Sequence, residues 1–232
     1  MIGDPVPYPS RLLAEAVEAI GSLPGVGSRS ALRLALYLLG QPKENVAHFT
    51  QSISRMREEI KHCRICNMIA DEEECGICRS RTRLRTSICV VESIRDVMSI
   101  EATGRYHGLY HVLGGIISPI SGVGPADLSI PLLLRRIGEW SETDDGQGEG
   151  LEIIFALSGD VEGETTAFYL YRQIEALLQE REAQENDLPV RRVRMTTLAR
   201  GLGFGADLEY ADALTLGRSI ENRLEFKPGE KI

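Results

Sequence analysis

The chain has 232 residues, 43% of them hydrophobic, and carries 26 Lys plus Arg against 34 Asp plus Glu, a formal net charge of −8. That is enough apolar material for one or two self-sufficient domains, whereas the longest apolar runs, at 88–91 and 153–157, fall far short of the roughly 20 residues of a membrane span. No basic leader followed by an apolar stretch opens the chain, so a cytoplasmic protein with no membrane partner is the expectation.

From Ser10 to about Gly21 the apolar residues Leu12, Leu13, Ala16, Val17 and Ile20 recur at helical spacing, with Ser10 as a candidate N-cap. A second helix is expected over Ser28–Leu39, opened by Ser28 and closed by Gly40 and Pro42, and a third over roughly Asn45–Lys61. The cysteine-rich stretch that follows has too few apolar residues for a core of its own. Beyond it, short apolar runs alternate with amphipathic segments: strand 88–92, helix 93–102, strand 109–113, helix 127–139, strand 152–157, helix 164–182 and strand 191–196. Such alternation predicts an α/β fold with a parallel sheet flanked by helices. The acidic, glycine-rich stretch 141–150 is expected to be a surface loop.

Four of the five cysteines, Cys63, Cys66, Cys75 and Cys78, form two CxxC pairs separated by eight residues. Each pair offers two sulfurs from one knuckle, and two pairs can close a tetrahedron around zinc. A full shell of four soft thiolates leaves no open position for a substrate, so the zinc is expected to be structural. His62 reads as a neighbour of the site, and Cys89, inside the ICVV run, as a buried core thiol.

Net charge by itself argues against nucleic acid, but the charge is unevenly spread: residues 1–86 sum to +2 and residues 87–232 to −10. A DNA-facing surface therefore belongs in the front third. There the segment LPGVGSRSALRL resembles a helix-hairpin-helix module. Gly25 and Gly27 allow close backbone approach, Ser28 starts a helix with free amides, and Arg29 and Arg33 add positive charge. Such a hairpin grips phosphates without reading bases; an ordinary glycine-containing helix connection accounts for the same residues. Arg79, Arg81, Arg83 and Arg85 occur at every second position, which on an extended strand makes a basic stripe facing either DNA or solvent.

Glu92, after one strand, and SGDVEGE at 158–164, after another, put Asp160, Glu162 and Glu164 at strand C-termini, the edge where open α/β sheets bind ligands. This arrangement resembles the Toprim domain of topoisomerases, primases and some nucleases, with Ser158 where the first aspartate of a DxD motif would stand. Clustered carboxylates can hold magnesium, but the missing one weakens two-metal chemistry. A magnesium-dependent Toprim nuclease or topoisomerase-like enzyme centred on Glu92, Asp160 and Glu162 is therefore the alternative reading, and a zinc-stapled oligomerisation module a third.

Hairpin, four-cysteine knuckle and Toprim-like half, followed by YHVLGGIISPISGVGP at 110–125, DVEGETTAFYL at 160–170 and LARGLGFGADLEYADALTL at 198–216, stand in an order that resembles the RecR family of bacterial recombination mediators, from Pro9 to about Arg223. The resemblance implies four regions: a helix-hairpin-helix DNA-binding region at 1–61, a zinc finger at 62–86, a Toprim domain at 87–196, and a C-terminal extension at 197–232. The extension would hold a Walker B-like segment, Gly205 to Asp212, and serve oligomerisation. No GxxxxGK[ST] loop accompanies that segment, which favours a buried turn and helix start over nucleotide hydrolysis. The resemblance further implies a non-enzymatic, nucleoid-associated, ring-like homo-oligomer, dimer or tetramer, that clamps DNA without sequence preference. With RecO, and in some settings RecF, it would help RecA replace single-strand-binding protein at gaps. Structural zinc is the implied cofactor, with weak magnesium at the acidic edge as an addition and the acidic residues as a partner-docking surface.

Overall fold

A computed structural model of the chain describes residues 8–140, 150–184, 193–199, 201 and 208–221. The backbone divides into two compact units, Met1–Ile60 and Lys61–Ile232. In the first, helices α1 (Arg11–Gly21) and α2 (Ser28–Leu39) pack together around Val17, Ala31 and Ala35, supported by Tyr8, Leu13, Ile20, Val26 and Leu32. Small residues at the crossing let the helices approach closely. Helix α3 (Lys43–Glu59) buries none of its residues.

The second unit opens with a two-stranded antiparallel ribbon, β1 (Lys61–His62) against β2 (Ile69–Ala70), followed by the single-turn helix α4 (Gly76–Arg79). Then come β3 (Ser87–Val91), α5 (Ile94–Ala102), β4 (Leu109–Val112), a 3-10 turn at Pro125–Asp127, α6 (Ile130–Glu139), β5 (Leu151–Ala156), α7 (Val161–Gln184) and β6 (Val193–Thr197). Another 3-10 turn, Leu208–Tyr210, precedes α8 (Ala213–Glu221).

The four long strands form one parallel sheet in the order β4-β3-β5-β6. Both faces of its centre are covered, which is why β3 reads as an unbroken apolar run. Alternation divides the side chains: Ile88, Val90, Ile153 and Phe155 pack with Leu133 and Ile137 of α6 and Leu170 and Ile174 of α7, while Cys89, Val91, Tyr110 and Ala156 pack with Val97 of α5. Cys89 is thus a core thiol, as expected, and burial pushes its pKa up to about 12.

The predicted elements all appear, with ends shifted by a few residues; positions 191–192 of the last predicted strand, and all but Gly150 of the predicted surface loop, lie outside the described residues. Two expected caps differ. Ser10 makes no side-chain capping bond, and the residue capping α2 is Gly27, with Ser28 already helical. No helix among the described residues is long and apolar enough to cross a membrane.

Candidate zinc centre and nucleic-acid interface

The β1–β2 ribbon presents Cys63 and Cys66 from its turn, and α4 presents Cys75 and Cys78. The turn is fixed by backbone bonds from the Cys63 N–H to the Met68 carbonyl (2.7 Å) and from the Asn67 N–H to the Cys63 carbonyl (2.9 Å). Asn67 itself adopts the left-handed conformation, φ 59°, which asparagine tolerates better than most residues. The four thiols are buried, unpaired as disulfides, and have their sulfurs within 4.8 Å of one another. Cys66 and Cys75 Sγ stand 3.6 Å apart; a tetrahedron with ligand distances of about 2.3 Å separates its sulfurs by about 3.8 Å. The donor set and its spacing therefore fit zinc. Among the described residues this is the only set of three or more candidate ligands gathered closely enough to hold a metal. His62 stands outside it, with Nδ1 3.2 Å from the Asn67 carbonyl oxygen.

Outer-edge backbone groups of β4 are taken up by this knuckle. The Val112 N–H donates to the Cys66 carbonyl (2.8 Å), and Asn67 Nδ2 donates to the Val112 carbonyl (2.9 Å). An edge strand that would otherwise offer unpaired groups is thereby closed.

In the first unit, Gly25 has φ +82° and is the third residue of the Leu23–Val26 turn between α1 and α2, a conformation that a side chain would strain. Gly27 is extended, at φ −79°, and a Cβ there would meet nothing within 4 Å. Neither its backbone angles nor its neighbours require glycine, so the space in front of it is free for something outside the chain. No side chain caps the first amides of α2. Arg29 and Arg33, one turn apart on this helix, are exposed and have no ion-pair partner among the described residues. A helix N-terminus with open amides and nearby cations suits phosphate oxygens.

The acidic residues meet at the C-terminal edge of the sheet, as expected. Glu92 follows β3; Ser93 then starts α5, its backbone N–H donating to Asp96 Oδ2 (2.7 Å). Asp160 precedes α7 and accepts at Oδ1 from the Gly163 N–H (2.8 Å) and from Ser158 Oγ (2.9 Å). Glu162 accepts from Ser118 Oγ (2.6 Å), which brings the 114–124 loop across this edge. Glu164 is exposed in the first turn of α7. Burial, then the charges of Asp96, Asp160 and Glu162, raise the Glu92 pKa; the carboxylates are near enough to repel without forming a gathered ligand set.

Four family models match the chain in succession: the RecR helix-hairpin-helix over residues 13–57, the RecR four-cysteine zinc finger domain over 60–80, the Toprim domain over 86–194, and the RecR C-terminal model over 201–224. Curated relatives called Recombination protein RecR extend the likeness to nearly the full length. The protein from Porphyromonas gingivalis is 47% identical over 225 residues, covering 97% of this chain and 98% of the relative. The chain belongs to the RecR family. RecR of Parabacteroides distasonis is 46% identical over 94% of this chain and 95% of the relative, and that of Flavobacterium johnsoniae 47% over 95% and 96%.

Two expectations for this RecR-family chain are revised by the fold. The arginine stripe does not exist, because residues 80–86 form bends and turns and no strand. Arg79 pairs with Glu72, and Arg83 donates to Glu101 Oε1 (2.9 Å) and to the Tyr106 carbonyl (3.3 Å), while Arg85 reaches back to the Cys78 carbonyl (3.4 Å). Intramolecular partners scattered in space override the alternation. Second, the Walker B-like segment lies in part outside the described residues; its end is the expected turn and helix start, with Asp212 accepting the Thr215 N–H (2.9 Å) as the cap of α8, but Glu209, Tyr210 and Asp212 are exposed there and not buried. Sequence reading missed Asn67 and Ser118, whose partners lie 45 and 44 positions away.

Proposed function

We propose that the protein is a non-enzymatic DNA-repair and recombination mediator: a cytoplasmic, self-associating clamp that binds DNA without sequence preference. With RecO, and in some settings RecF, it promotes RecA loading at single-strand gaps. Residues 1–61 serve as the DNA-binding region, 62–86 as the zinc finger, 87–196 as the Toprim domain and 197–232 as the oligomerisation segment. The observation that carries the DNA assignment is the α1–α2 turn, where open amides, exposed Arg29 and Arg33, and an unobstructed Gly27 coincide.

The acidic edge serves as a docking surface for a basic partner. Glu92, Asp160, Glu162 and Glu164 supply the charge, with Ile120 and Val161 exposed beside them; complementary charge chiefly speeds and orients such docking. Ser158 in place of a carboxylate, and the engagement of Asp160 and Glu162 by Gly163, Ser158 and Ser118, favour this role over magnesium chemistry.

Gel-shift titrations against single- and double-stranded DNA over a range of salt test the interface. Arg29→Ala and Arg33→Ala should each weaken binding on every sequence and reduce the salt slope by about one. Gly27→Ala should keep the helical circular dichroism and still bind more weakly, because the added methyl obstructs only an outside ligand. Undiminished binding in all three variants removes DNA from this surface, and magnesium-dependent cleavage that is abolished by Glu92→Gln overturns the non-enzymatic reading.

A further inference from the structure

Zinc held by four thiolates carries a formal charge of about −2, and the sulfurs here are buried. Buried charge is costly without a countercharge or hydrogen-bond donors. Three of the nearby cations are already engaged by the acidic run of the knuckle: Lys61 by Glu73, Arg64 by Glu74 and Arg79 by Glu72. Arg136 differs. It projects from α6 and donates from Nη1 to the Tyr110 carbonyl (2.7 Å). Tyr110 is two residues before Val112, so both use the same outer edge of β4 that the knuckle covers. Its Nη2 is sealed from solvent and has no hydrogen-bond partner among the described residues.

We propose that Arg136 is the buried countercation of the four-cysteine zinc centre, its charge balancing the thiolates while Nη1 ties the guanidinium to β4. Arg136 lines one cleft with Arg64 and Ile65, the two residues between Cys63 and Cys66. Without a hydrogen bond at Nη2, the buried guanidinium is offset by the net negative charge of a four-thiolate zinc shell, the compensation that a buried charge needs. Arg136 belongs to the Toprim sheet and the cysteines to the knuckle, so this pairing would make metal affinity depend on the sheet.

The inference rests on the zinc reading of the cysteines, and the test separates the two. Full-length native chain, Arg136→Met and Arg136→Lys are loaded with zinc and titrated with a competing chelator, and the cobalt(II) forms are compared through their thiolate-to-metal absorption. Arg136→Met should lose about 10- to 100-fold in metal affinity, the range expected for an outer-shell partner, and Arg136→Lys should recover most of that loss. A folding control is Leu133→Ala, which opens a cavity on the same helix without removing a charge; it should lower thermal stability and leave zinc affinity unchanged. For an Arg136→Met chain that does not fold, Arg136→Gln carries the same comparison, keeping a donor for Tyr110 without the charge. A native chain that binds no zinc overturns the zinc reading. A native chain that binds zinc no more tightly than the uncharged variants, or a Leu133→Ala loss as large as theirs, overturns the role of Arg136 alone.

Discussion

His111 occupies the middle of β4 with no exposed surface. Its Nε2 faces the Ser129 carbonyl (3.0 Å), while Nδ1 has no partner among the described residues, so a second ring proton would have nowhere to go. Burial, reinforced by the charge of Arg136 and partly offset by the Ser129 bond, lowers its pKa to about 4. The sign follows directly. Above the unfolded value of about 6.5 the ring is neutral in both states and stability does not depend on it; as pH falls from about 6.5 to about 4 the unfolded chain takes the proton first, and stability is lost. The span corresponds to about 3 kcal/mol. Urea unfolding of native chain and His111→Gln between about pH 7 and 4 should show the native chain losing stability more steeply; parallel curves would place the acid sensitivity elsewhere. At this same scale the DVEGE run explains itself, since a Cβ on Gly163 would lie 2.3 Å from the Ser158 carbonyl oxygen. Composition marked that glycine only as part of an acidic run; the clash that requires it arises from a neighbour five positions away.

Among elements, the zinc knuckle and β4 are the pair whose dependence decides most. Local spacing made the knuckle legible, because two CxxC pairs can close a tetrahedron with no help from distant residues. What it packs against was not legible: Asn67 finds Val112 across 45 positions. Metal binding and folding are coupled in such small sites, so chelation should release the outer edge of β4 first. Hydrogen exchange should then show the amides of Cys63, Asn67 and Val112 losing protection while Ile88 and Ile153, in the sheet interior, retain theirs. Equal protection with and without zinc would mean that the knuckle folds on hydrogen bonds alone. The arginines at 79, 81, 83 and 85 teach the converse. Their spacing has the strand period, yet the segment has too few apolar residues to bury one face, and ion pairs with Glu72 and Glu101 draw their side chains to different places.

Across the whole molecule, a +2 front and a −10 remainder divide the chain into a part that phosphates can approach and a part that repels them. Helix α3 adds an apolar surface to the front. Phe49, Ile53 and Met56 follow one another at spacings of four and three, so they share one face, and all are exposed. Isolated apolar residues on a surface need no explanation, but a contiguous stripe on a helix that buries nothing of its own suits association with another copy. Light scattering of the native chain should therefore give a multiple of 25.6 kDa, and Phe49→Glu combined with Ile53→Glu should reduce it; an unchanged mass would assign self-association to other surfaces. The sequence by itself determined the features whose physics is local: helix and strand periods, the two-pair zinc motif, the glycine turn before α2, and the placement of acidic residues after strands. Only the tertiary structure decided which of those residues remain available, because hydrogen bonds, buried charges and steric exclusions are made between positions far apart in the chain. It consumed the arginine stripe, engaged Glu162 with Ser118, left Arg29 and Arg33 open, and brought Arg136 to the edge strand that the four cysteines cover.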